Sequence, residues 1–238
     1  LILIWQLTAT AGLLPGTVLP APSKVFVAAW GLIQSGELVT NLAVSAARAV
    51  AGLVVGGGIG FGLGLANGMF PISEKTLDST LQMLRNVPHL ALIPLVILWF
   101  GIGEGAKLFL VALGVFFPIY LNTFHGVRSV DPRLIEMGRV YGMSPLRLFL
   151  KIILPGALPS IFIGLRFALG VMWLTLIVAE TIAASSGIGH MAMQAREFMR
   201  VDVVVVSILV YALLGKLADT ATRWLERRCL PPAAFANL

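Results

Sequence analysis

Few residues in this chain can do chemistry inside an apolar interior, and each stands nearly alone. Glu180 lies in the apolar run 161–183, "IFIGLRFALGVMWLTLIVAETIA", near its distal end, where an ionisable side chain is costly unless it is paired or reaches water. It could pack, gate or touch a solute, and an anionic solute would be repelled by it. Arg85 and His89 stand at i and i+4, a cation and an imidazole suited to an anion, although Arg85 equally fits an interfacial anchor. Asn122 and Thr123 interrupt another apolar run, and Trp173 with Thr175 places an aromatic ring and a hydroxyl beside Glu180 in sequence. Such groups serve as interhelical hydrogen bonds or as neutral donors along a path. His125 and His190 lie far from His89 in sequence, so no metal site is expected, and a lone acid does not supply the clustered groups that catalysis needs.

The elements that must position these residues are apolar. The 238 residues are 58% hydrophobic and 12% charged, with a mean hydropathy of +0.94. Soluble domains carry about 25% charged residues, so this composition points to a bilayer as solvent. The net charge of +6 does not indicate nucleic acid, because the cations fall in the gaps between apolar runs. Cys229 is the one cysteine and allows neither an internal disulfide nor a cysteine-based metal site.

Six spans are expected. The first, 1–14, reads as a clipped membrane helix and is followed by a proline-marked segment, Pro15 to Lys24, expected to be a rigid extended linker. Residues 25–48 read as an interfacial helix on which Asn41, Ser45 and Arg48 recur near helical spacing. The spans proper are 49–69, 81–101, 106–124, 161–183 and 203–222. Gly52, Gly56, Gly60 and Gly64 recur every four residues and line one face for close backbone approach. Gly56, Gly57 and Gly58 lie inside an unbroken apolar run with no phosphate-loop lysine, which argues against a nucleotide site. With both termini inside, eleven cations fall on inner segments and five on outer ones, Arg166 remaining at a membrane edge where it can snorkel or pair with Glu136 or Asp131. The stretch "SSGIGHMAMQAREF" is expected to form an outer re-entrant or gate segment, turned at Gly187 and Gly189.

The pattern breaks at 136–160, "EMGRVYGMSPLRLFLKIILPGALPS". Asp131 and Pro132 suit a helix start, and Arg133, Glu136 and Arg139 recur opposite a partly apolar face of Leu134, Met137 and Tyr141. Gly142 and Pro145 end that helix within about three turns. A second amphipathic stretch, 146–153, leads to Pro155 and Pro159, which are expected to bend the chain where the next span begins. The product is a short helix held crosswise between two spans, either a plain charged loop or a device that transmits force.

Glu136, Gly142, Ile152, Leu154 and Pro155 match, in type and spacing, the signature of bacterial ABC importer membrane subunits, with Met137 and Gly138 where the pattern has two alanines. The stretches 82–102, 154–182 and 186–198 further resemble the nitrate, sulfonate and taurine branch, and within it the aliphatic sulfonate permeases. The resemblance, which covers essentially the whole chain, implies an all-α polytopic bundle of the type I importer kind. It would have about six transmembrane helices, in one permease domain spanning 1–238.

The resemblance also implies that 133–148 forms a cytoplasmic coupling helix. Arg133, Glu136, Met137, Arg139, Gly142, Ile152, Leu154 and Pro155 would then couple the chain to a separate ATPase. The chain itself would be no enzyme and bind no cofactor, ATP and Mg2+ being used by that partner. The implied assembly is two copies of this chain, two cytoplasmic ATPases and an external or periplasmic solute-binding protein, in a bacterial inner membrane with both termini cytoplasmic. The implied activity is import of aliphatic sulfonates, with taurine, nitrate, bicarbonate or a pyrimidine precursor as alternatives. Arg85, His89, Asn122, Thr123, Trp173, Thr175 and Glu180 are the candidate pathway residues. A channel that ignores ATP, or a membrane scaffold, would leave the signature unexplained.

Overall fold

A computed structural model describes residues 2–12 and 15–230, so the expected first span 1–14 and domain 1–238 lie partly outside the described residues. Among those described, every regular element is helical. A short helix α1 (Ile2–Thr10) precedes α2 (Pro22–Gln34) and the 33-residue α3 (Glu37–Met69). Next come α4 (Pro71–Arg85), a tight turn at His89–Leu92, α5 (Ile93–Phe100) and α6 (Glu104–Arg128). Two short helices, α7 (Pro132–Val140) and α8 (Pro145–Leu148), lead through a widened π turn (Phe149–Ile153) into α9 (Leu154–Ala183). The chain closes with α10 (Ile188–Glu197) and α11 (Val201–Cys229).

Four of these helices are long and apolar enough to cross a membrane, and a fifth crossing results if the α4 and α5 segments, bent by 80°, are taken as one broken span. This differs from the six spans expected, because the described part of the first run forms only nine helical residues. The segment from Pro15 is not extended either: the amide of Val18 donates to the carbonyl of Pro15 at 2.8 Å, and the resulting turn brings Gln6 of α1 to within hydrogen-bond reach of Ser23 on α2. Residues 25–48 do not form one interfacial helix. The chain breaks at Ser35 and at Gly36, whose φ of +77° suits a residue without Cβ, and the remainder continues unbroken into α3. Nor do Pro155 and Pro159 interrupt the helix, since residues 145–182 run as one element. The π turn stands immediately before Pro155, where a normal α turn would set the proline ring against the carbonyl of Lys151.

The core is a slab of three helices. α3 and α6 run parallel, with Gly52, Gly56, Gly60, Gly64 and Gly68 meeting Val111, Ala112, Phe116, Thr123 and Val127 in turn. A Cβ on Gly60 would stand 2.6 Å from the carbonyl oxygen of Phe116, so these backbones touch because side chains are missing. α9 packs antiparallel on α6, again through glycine: a Cβ on Gly126 would meet the Ala157 carbonyl oxygen at 2.9 Å, and one on Gly164 the Pro118 carbonyl oxygen at 2.9 Å. Ala49, Val111, Val115, Ala168, Met172 and Leu176 fill the space among the three. At one end α2, α10 and α11 close over a second core of Leu32, Ile188, Met191, Val203 and Tyr211.

Gly60→Ala is expected to lower the thermal stability of the detergent-solubilised protein, by an overpacking penalty of about 1–3 kcal/mol. Gly58→Ala and Gly62→Ala, where a Cβ would meet nothing within 4 Å, are expected to leave the melting curve in place.

Candidate functional site: docking helix and transport path

The charged segment builds a small, sharply bounded helix. The Asp131 carboxylate accepts from the Arg133 amide at 2.9 Å and caps α7, with Pro132 in the first turn. At the other end Gly142 takes φ +71°, its amide donates to the Arg139 carbonyl, and the Met143 amide donates to the Gly138 carbonyl, both at 3.0 Å. This paired closure needs a left-handed residue, hence glycine. Ser144 then caps α8 by accepting from the Arg147 amide at 3.4 Å. Gly138 is the buried seat of α7: a Cβ there would stand 2.6 Å from Leu148 Cδ1 and 2.8 Å from Ile152 Cδ1. Met137, which replaces an alanine of the signature, points away from that seat and is 47% exposed.

The structure places the predicted coupling residues on two levels. Arg133, Glu136, Met137, Arg139 and Gly142 are exposed. Ile152 packs under Gly138, Leu154 is half-buried, and Pro155 stands at the start of α9. The exposed surface is apolar in part: Val140, Tyr141 and Leu146 are 82%, 77% and 67% open to solvent.

The candidate pathway residues do not form one site. Arg85 and His89 do not share a helix face, because α4 ends at Arg85 and Pro88 introduces the tight turn. Arg85 is exposed, whereas His89 reaches across α6 at Gly114, where its Nε2 lies 3.0 Å from Thr175 Oγ1 on α9. Gly114 lies in the interior of α6, so His89 stands beside the middle of that helix. Asn122 binds locally, donating to the Pro118 carbonyl at 2.9 Å, and the buried Thr123 faces Gly64. Trp173 packs edge-on to Tyr211 with centroids 6.2 Å apart, in the core. Arg166 pairs across to Glu226 on α11 at 3.7 Å, rather than with Glu136 or Asp131.

Glu180 is the centre of a buried ion cluster that the sequence reading did not assemble. Its carboxylate accepts from Ser45 Oγ at 2.8 Å, Arg48 Nη1 at 2.8 Å, the Gly189 amide at 2.9 Å and Tyr211 Oη at 3.0 Å. Arg48 also makes a bidentate pair with Glu104, both contacts at 2.6 Å, and donates to the Ser186 carbonyl oxygen at 2.6 Å. Lys107 binds Glu104 at 2.8 Å. Glu180 is 1% exposed, Lys107 2% and Arg48 7%, so charges from α3, α6 and α9 are paired with one another at the end remote from α7, with Glu104 at the exposed rim. Ser45 and Arg48 carry the signal that was available: one helix face bearing a hydroxyl and a cation, in a chain whose lone intramembrane acid needed a partner. The expected gate segment is α10, entered at Gly187 with φ +109° and held to Asn41 Oδ1 by the Gly187 amide at 2.7 Å.

Arg48→Met is expected to destabilise the protein by about 3–5 kcal/mol, because Glu180 then stays buried without its cation. The double variant Arg48→Met, Glu180→Leu should recover part of that loss in the same denaturation measurement.

Residues 58–230 match the family described as binding-protein-dependent transport system inner membrane component. The chain is 60% identical over 227 residues to an Escherichia coli (strain K12) protein named as an aliphatic sulfonates transport permease, SsuC, covering 95% of this chain and 86% of the relative. A Bacillus subtilis (strain 168) protein of the same name is 46% identical over 97% of this chain and 83% of its own length, and the taurine transport system permease TauC of Escherichia coli (strain K12) is 37% identical over 97% and 86%. Among solved structures, the MetNI methionine ABC transporter in inward-facing form matches with a TM-score of 0.62 at 20% identity, covering 85% of this chain and 97% of that one. An amino acid ABC transporter structure matches with a TM-score of 0.65 at 16% identity, covering 83% and 96%. The fold is thus that of ABC importer permeases, and the chain belongs to the family of binding-protein-dependent transport system inner membrane components.

Proposed function

We propose that this chain is the membrane-spanning subunit of an ATP-driven importer that moves aliphatic sulfonates into the cytoplasm. The observation that carries this reading is the 60% identity to the aliphatic sulfonates permease across 95% of the chain, against 37% to the taurine permease. That second identity makes taurine the next substrate to test. The complex is read as two copies of this chain with two ATPase subunits, which use ATP and Mg2+, and an external solute-binding protein.

Charge distribution supports the orientation in the membrane. Since α3, α6 and α11 run opposite to α9, the α7 end also gathers Lys75, Arg128, Lys151, Arg223, Arg227 and Arg228. At the remote end Arg48 and Lys107 are matched by Glu104 and Glu180. The cation-rich α7 end is therefore assigned to the cytoplasm, with the C-terminal end of α11 beside it.

The mechanism follows from how α7 is seated. ATP binding draws the ATPases together, and their grooves carry the exposed Leu134, Met137, Val140 and Tyr141 surface with them. α7 rests through Gly138 on Leu148 and Ile152, and those residues belong to the same continuous helix as Thr175 and Glu180. Movement at the docking surface is therefore applied directly to a core helix, and hydrolysis resets it.

The test is the whole complex in proteoliposomes, with ATP turnover and uptake followed for labelled alkanesulfonate, taurine and nitrate. Alkanesulfonate-stimulated turnover and uptake are expected. Gly142→Val and Glu136→Ala are expected to cut the stimulated turnover by about tenfold or more, since the first cannot keep a left-handed helix end and the second alters the docking face. A response confined to taurine or nitrate would retain the machine and replace its substrate; uptake without ATP would overturn the importer reading.

A further inference from the structure

A cavity of about 790 Å3 opens between α3, the α4–α5 bend and α6, within the roughly 300–1,000 Å3 typical of small-molecule sites. Its walls include Ile59, Leu84, Leu92, Leu108 and Leu113, and among the described residues no carboxylate, ammonium or guanidinium group lines it. Among the described residues, the one ionisable side chain on its wall is His89. That imidazole is fixed from behind: Nε2 lies 3.0 Å from Thr175 Oγ1, through a gap in α6 that exists because residue 114 is glycine. A Cβ at Gly114 would stand 2.9 Å from Thr175 Oγ1 and 3.5 Å from His89 Nε2. Thr175 is fully buried and makes no other side-chain hydrogen bond among the described residues, so its hydroxyl and Nε2 are partners, with the donor set by the imidazole tautomer. In the tautomer whose Nε2 accepts from that hydroxyl, the ring hydrogen is on Nδ1, an N–H donor on a ring that borders an apolar chamber.

We infer that this chamber is the alkyl-binding subsite of the transport path, with the carbon chain against its walls and the sulfonate accepting a hydrogen bond from His89. The inference rests on the importer reading and adds a reason for its selectivity. An aliphatic sulfonate is an anionic head on an uncharged tail, which matches one donor beside an apolar wall. Taurine carries the same head with an ammonium at the far end of its chain. In this chamber that ammonium would lose water and find no carboxylate in exchange. A single neutral donor also holds the head weakly enough for release on the far side.

The test compares uptake of methanesulfonate and octanesulfonate by the complete complex in proteoliposomes, always with the same binding protein and ATPase, so that their own preferences cancel in the ratio. Leu113→Trp, which fills the chamber, should lower octanesulfonate uptake relative to methanesulfonate by about tenfold or more, and Leu113→Ala should move the ratio the other way. His89→Leu should reduce uptake at both lengths by a similar factor, and His89→Gln, which keeps an N–H donor, should restore part of it. Equal losses at both lengths in the Leu113 variants, the result expected of a chamber filled by lipid or by a second copy of the chain, would overturn the inference while leaving the importer intact. Should the Trp variant not assemble, an unchanged ratio in the Ala variant is sufficient to overturn it. A wild-type complex that imports no alkanesulfonate of either length refutes instead the substrate named under the proposed function.

Discussion

The contact on which the rest of this structure depends is the bare meeting of backbones along α3 and α6. Lipid tails are as apolar as leucine, so within a bilayer burial of apolar surface does little to pull helices together. What remains is dispersion at close range, which falls away steeply with a gap of even 1 Å or less. Glycine every fourth residue on α3 removes the side chains that would hold the helices apart, and Gly114, Gly126 and Gly164 do the same between α6 and α9. The three helices form a slab with little room for sliding, and the polar features of the chain are fixed against it.

The slab explains why an ion cluster can be held at one end, with Arg48, Lys107 and Glu180 buried and Glu104 at its exposed rim. Arg48, Glu104, Lys107 and Glu180 come from α3, α6 and α9, so their mutual distances are set by helices that already touch. The loop after α9 and the first turn of α10 complete the shell: Ser186 accepts from Arg48 through its carbonyl and hydroxyl, and the Gly189 amide donates to Glu180. A Cβ at Gly187 would fall on the Glu180 carboxylate, and one at Gly189 would stand 2.7 Å from the Glu180 Cβ, so both glycines are required by the acid they surround. The "SGIG" stretch is therefore a cradle for a carboxylate as much as a turn. Glu180, with its oxygens taken by Ser45, Arg48, Gly189 and Tyr211, is a fastening between helices and not an open site for solute.

What was legible in the sequence was what is decided locally. The bounds of α7 could be read, because Asp131, Pro132 and Gly142 act on their own neighbours through a cap and a left-handed turn, but the run 133–148 expected as one coupling helix divides into α7 and α8. The glycine spacing on α3 was legible too, but the helix it faces was not. Asn41, Ser45 and Arg48 show the limit most clearly: a polar stripe at helical spacing fits a water interface and a buried acid equally well, and only the position of Glu180 on a distant helix decides between them. The pairing of Arg85 with His89 failed for a different reason. Counting i and i+4 assumes an unbroken helix, and the intervening Pro88 was the local warning against it.

The link between α7 and the core helix α9 lies in one imperfect turn. α7 sits on Leu148 and Ile152, and Ile152 belongs to the π turn that precedes Pro155. A π turn holds one extra residue per turn with poorer hydrogen-bond geometry, so it is a weak point in a helix that is otherwise continuous from Pro145 to Ile182. Above it, α9 is held to α6 through glycine contacts that allow little displacement. Any movement imposed on α7 must then be absorbed in the π turn or carried whole by α9, together with Thr175 and the Glu180 cluster. The widened turn thus marks the boundary between the short helices α7 and α8 and a core helix held to α6 through glycine contacts.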